Sequence, residues 1–105
     1  SKMVYVLLIS SIVAEVFGTT FMKLSEGFTK HRYTIGMIIG YILAFYLVSL
    51  VMLEMSLGVT YAIWSGAGTV LTAVIGVLLF SEKINKMGMI GIAMLCAGLI
   101  LINVV

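Results

Sequence analysis

The chain has 105 residues, of which 63% are apolar and 10% charged, with a net charge of +2; ordinary soluble domains carry about 25% charged residues. That balance excludes a water-soluble globule. It also argues against nucleic acid as a partner, because the basic residues gather in short clusters instead of lining a face. With a mean hydropathy of +1.29, the chain reads as an integral membrane protein of one domain. The single cysteine, Cys96, allows no internal disulfide, and one His with no Asp offers neither a metal site nor a nucleophile beside a base. No enzyme activity, metal or cofactor is expected.

Four apolar stretches follow one another at residues 4–22, 34–53, 58–80 and 87–105, each close to the ~20 residues that carry a helix across ~30 Å of hydrocarbon. The connectors 23–33, 54–57 and 81–86 are polar and short. Neighbouring helices are therefore predicted to be antiparallel hairpins in an all-α, four-span domain. The first stretch is too long for a cleaved leader, carries Glu15 and lacks a small-residue cleavage site, so it is expected to be a permanent span.

Within that first span, Glu15 is the one ionisable side chain in the interior of any predicted span. At 1.5 Å per residue it lies roughly 16 Å below the membrane surface, near mid-bilayer. A carboxyl there costs at least a few kcal/mol and faces a bundle interior or a cavity, where it marks an ion or proton path. Leu8, Ser11, Gly18, Thr19 and Met22 share its helical face, which is small and weakly polar like a cavity wall. Tyr5, nearer the start of the span, is a further candidate for the site.

The first connector carries Lys23, Lys30, His31 and Arg32, a solvated basic segment suited to anionic lipid headgroups. Together with Lys83 and Lys86 of the third connector, these five Lys and Arg residues face only Lys2 on the opposite side, which places both termini outside. Glu26, Glu54 and Glu82 are read as surface charges. On the second span Gly36, Gly40 and Ala44 are spaced by four, allowing backbones to approach closely in lipid. Tyr41 and Phe45 on this span are candidates for an aromatic box, with core packing as the competing reading.

On the third span Tyr61 and Trp64 are three apart, and the only Trp lies mid-span instead of in an interfacial belt. Aromatic faces attract cations, Trp most strongly, and quaternary ammonium sites are built this way. A buried Trp N–H and Tyr O–H need partners, and Glu15 is the expected acceptor. Gly68, Thr72 and Gly76 repeat the spacing of four. The fourth span has little polar content, and Gly91 and Gly98, two turns apart, suggest a self-association face. Four helices alone leave little room for a ligand site of ~300 Å³ or more. A dimer is expected, with two Glu15 carboxyls near one another.

The strings Ala14-Glu15-Val16-Phe17-Gly18-Thr19-Thr20, Lys23-Leu24-Ser25-Glu26-Gly27-Phe28-Thr29 and Tyr61-Ala62-Ile63-Trp64-Ser65-Gly66-Ala67-Gly68, with Leu95-Cys96-Ala97-Gly98 and Ile102-Asn103, closely resemble signatures of the small multidrug resistance family. The resemblance covers essentially the whole chain. It implies a bacterial inner-membrane exporter, usually an antiparallel dimer, that trades protons for lipophilic or quaternary ammonium cations. Carried over by position, Glu15 would be the shared proton and substrate carboxylate. Tyr61 and Trp64 would contact the drug, with Tyr41, Tyr5, Ser11, Gly18, Thr19 and Phe45 lining the pocket. Gly66 and Gly68 would loosen the third helix as a hinge, and Gly91 and Gly98 would form the dimer contact.

Phe17-Gly18-Thr19 and Ala44 resemble the multidrug branch more than the guanidinium-exporting branch. Two rivals stay open on the residues: a small polar cation such as guanidinium as substrate, or a non-transporting assembly subunit in which Glu15 only joins helices. A homodimer is expected, a heteromeric pair with a paralogue being the alternative. Family prolines in the first connector and before the third span are replaced by Tyr33-Thr34 and Ser56-Leu57.

Overall fold

The computed structural model describes residues 2–104, with Val104 described by its backbone alone; Val105, the expected last residue of the fourth span, lies outside the described residues. Among the described residues four helices are formed: α1 (Lys2–Leu24), α2 (His31–Val51), α3 (Leu57–Phe80) and α4 (Lys86–Val104). Each is long and apolar enough to cross a membrane. The polypeptide is an all-α, multi-pass membrane protein. The first two helices reach beyond the apolar stretches into polar sequence, at Lys2 and at His31-Arg32. Hydropathy marks the hydrocarbon boundary, whereas a helix continues as long as its hydrogen bonds are met.

Local sequence sets the ends. Ser56 caps α3 by accepting the Val59 N–H at 3.3 Å. At the other end Ser81 turns left-handed (φ 53°) and the Glu82 N–H returns to the Gly76 carbonyl at 3.0 Å. Loop one winds around Ser25, a fully buried hydroxyl residue whose Oγ donates to the Met22 carbonyl at 2.6 Å and accepts the Phe28 N–H at 3.2 Å. Glu26, Gly27 and Phe28 all have positive φ there, a conformation strained for the two non-glycine residues.

The helices form a slab with extents of 42 × 34 × 18 Å. Helix α1 lies between α2 and α3, and α4 packs on α3. The seam between α1 and α2 is built from small residues: a Cβ at Gly40 would lie 3.0 Å from the Gly18 Cα and 3.1 Å from the Ala14 carbonyl. Buried Ala44 presents its carbonyl to the Ser11 Oγ at 2.8 Å. Gly36 faces the Phe21 ring, so the Gly36, Gly40 and Ala44 stripe packs within one protomer. Val4, Leu8, Ile12, Val16, Val51 and Ile63 form the apolar core. Helix α4 contributes no described buried residue.

Candidate functional site

Glu15 projects from the middle of α1 towards α3, into a cavity of about 300 Å³ lined by Glu15, Thr19, Trp64, Ser65, Gly68, Thr69 and Thr72. Its Oε1 accepts the Thr19 hydroxyl at 3.1 Å, and Thr19 Oγ1 is 2.8 Å from the Tyr41 hydroxyl. Thr19 has one proton to give. With that proton on Glu15, Tyr41 is the donor to Thr19, and a polar chain runs from α2 through α1 to the carboxylate. Helical spacing explains it: Thr19 is one turn beyond Glu15, and Tyr41 packs its ring against Gly18.

The other carboxylate oxygen, Oε2, is buried without a hydrogen-bond partner among the described residues, as is Trp64 Nε1. This corrects the expected bond from the Trp64 indole to Glu15: Thr19 holds the carboxylate through Oε1, and the position left to Oε2 is one turn along α3 from Trp64. Oε2 instead lies over Gly68, where an added Cβ would approach to 2.7 Å. Trp64 is flanked by Phe45 (ring centroids 5.5 Å apart, interplanar angle 49°) and by Tyr61 (6.2 Å, 37°). A carboxyl oxygen and the Trp64 ring thus border one cavity, with Phe45 and Tyr61 packed on Trp64, a combination able to hold an organic cation.

The remaining expected residues distribute differently. Ser11 is fully buried in the α1–α2 seam and does not line the cavity, because its hydroxyl is spent on the Ala44 carbonyl. Tyr5 is exposed near the start of α1, about three turns from Glu15. Gly18 is buried behind the wall against Tyr41, while Phe45 and Tyr61 are exposed apart from their contacts with Trp64. Helix α3 runs unbroken through Gly66 and Gly68. Each glycine has a packing role: a Cβ at Gly66 would lie 3.3 Å from Leu99 of α4, and Gly68 seats the carboxylate. At Gly91 and Gly98 a Cβ would meet nothing within 4 Å.

Sequence reasoning missed Ser65, Thr69 and Thr72. Their spacing along the Trp64 and Gly68 side of α3 was the available signal. Ser65 and Thr69 donate to the carbonyls one turn back, both at 2.7 Å, so their oxygens retain only accepting capacity toward the cavity.

The fold and this site define a class: a small multi-pass membrane protein with a carboxylate, midway along its first helix, on a half-open cavity. Residues 3–95 match the Small Multidrug Resistance protein family, and the chain belongs to that family. It is 46% identical over 99 residues to the multidrug resistance protein EbrA of Bacillus licheniformis, covering 94% of each chain. It is 45% identical over 93 residues to EbrB of Bacillus subtilis, covering 89% of this chain and 80% of that one. The similarity extends to the quaternary ammonium compound-resistance protein QacG of a Staphylococcus strain, 42% over 100 residues, covering 95% of this chain and 94% of the relative.

Proposed function

We propose that the protein is a proton-coupled antiporter that exports lipophilic and quaternary ammonium cations across the bacterial inner membrane. The observation that carries this reading is the buried, unpartnered Glu15 Oε2 on a cavity shared with the Trp64 ring. The names of EbrA and QacG support it. Glu15 neutralises either a proton or the cation, and the aromatic faces of Trp64, Tyr61 and Phe45 hold the organic part. Exclusive occupancy is the coupling: protons displace the cation on one side, and the cation displaces protons on the other.

The working unit is an antiparallel homodimer, or a heteromeric pair with a paralogue. A slab 18 Å thick with no described buried residue on α4 supports a second copy as the cover of the cavity. In that assembly Tyr5 and Tyr41 complete the aromatic surround, Gly91 and Gly98 meet the partner, and α3 bends at Gly66 and Gly68 as the cavity changes sides.

Equilibrium binding of tetraphenylphosphonium across pH tests the proposal. Binding should weaken as pH falls, and Glu15→Gln should remove that dependence. Tight binding of guanidinium with no competition from the bulky cation would favour a small-cation exporter. Dissolution of the assembly in Glu15→Gln would favour a purely structural carboxyl.

A further inference from the structure

We infer that a second, narrower cavity is the passage between Glu15 and the membrane surface carrying the first and third connectors, and that the Lys23–Glu82 ion pair is the latch across it. The antiport reading supplies the cargo for this passage, and the inference rests on it to that extent. The second cavity has a volume of about 70 Å³ and is bounded by Lys23, Phe80 and Glu82 at its outer end. It shares Thr19 and Thr72 with the Glu15 cavity. The two spaces therefore abut at one residue of α1 and one of α3. Thr19, which donates to Glu15 Oε1, continues the polar wall from the carboxylate towards the ion pair.

The volume is room for a few water molecules and too small for a lipophilic cation, whose sites need ~300 Å³ or more. In this conformation the passage admits water and protons; the larger guest requires it to widen. What holds it narrow is specific. Glu82 is carried on the left-handed turn at Ser81, with its N–H returned to the Gly76 carbonyl. Its carboxylate lies over Gly76, where any Cβ would collide with it. Lys23 reaches across from the end of α1 to pair with that carboxylate, and its ammonium stands 5.0 Å over the Phe80 ring.

Glu82, expected from sequence to be a plain surface charge, thus ties the ends of α1 and α3 together. The two side chains are about half exposed, and ion pairs in such surroundings are weak. A weak pair opens and recloses readily.

The test is labelling of Thr72→Cys by a water-soluble maleimide, in full-length protein in detergent with the only native cysteine removed by Cys96→Ala. Glu82→Gln or Lys23→Met should speed labelling by about 1.4-fold to fivefold, the range such a pair can hold closed. Exchanging the charges with Lys23→Glu and Glu82→Lys together should restore the slow rate. Raising ionic strength should speed labelling with the native pair in place, which needs no latch variant to fold. Labelling indifferent to both salt and pair substitution, or a charge exchange as fast as the single variants, would overturn the latch. Failure of the native-latch protein to bind tetraphenylphosphonium would overturn the antiport reading instead, since labelling does not depend on it.

Discussion

Gly68 is the seat of the Glu15 carboxylate: a methyl group at position 68 would stand 2.7 Å from Oε2. The carboxylate can swing away, so Gly68→Ala should displace the charge while leaving the helices packed. The expected result is weaker tetraphenylphosphonium binding with little change in thermal stability. Gly66→Ala meets Leu99 at 3.3 Å and should act on α3–α4 packing instead. Binding and melting measured on both variants separate the two roles.

Glu15→Gln should leave a folded protein and abolish the pH dependence of cation binding. The sign follows from the proposed competition: protonation would remove the negative charge that the cation needs, so wild-type affinity should fall with falling pH. A variant that still shows proton-coupled transport in vesicles would defeat the assignment.

Trp64→Ala should weaken aromatic cations by about 0.5 to 2 kcal/mol, the span of cation–ring attraction from exposed to desolvated sites. Trp64→Phe should retain most of the affinity. Equal losses for aromatic and small aliphatic cations in a competition assay would point to collapse of the α3 face.

Gly40→Ala should destabilise the protein by about 1 to 3 kcal/mol. Its Cβ would press on the Gly18 backbone at 3.0 Å, and backbone cannot rotate aside as a side chain does. Thermal unfolding in detergent is the measurement, with Gly58→Ala as the control because a Cβ there meets nothing within 4 Å.

Gly98→Leu should leave the protomer intact, since a Cβ at that position also meets nothing nearby, yet lower the dimer fraction. Cross-linking and sedimentation of the variant check this. An unchanged dimer would remove α4 from the interface.

The spans and the carboxylate were legible because each depends on composition along a line. A run of ~20 apolar residues has one use in a bilayer, and a Glu within it is conspicuous without any knowledge of its neighbours. The hydroxyl wall of Ser65, Thr69 and Thr72 leaves no such mark in the sequence. Serine and threonine pass unremarked in a membrane helix, because they can satisfy themselves on the preceding turn, as Ser65 and Thr69 do. Ser11 illustrates the opposite error: it shares the helical face of Glu15, yet the approach of α2 turned it into a buried tie to Ala44.

Composition and order alone determined that this chain forms four membrane-spanning helices with one acid midway along the first, because hydrocarbon penalises unsatisfied backbone and exposed charge wherever they occur. Tertiary structure decided which oxygen of Glu15 is satisfied by Thr19 and which lies over Gly68, that Trp64 does not bond to it, and that Lys23 meets Glu82. Apart from the Glu15–Thr19 bond, which lies within α1, those relationships join different segments of the chain. Their distances depend on how closely two backbones approach, and that closeness is fixed by small residues opposed across a seam, not by any spacing within one helix.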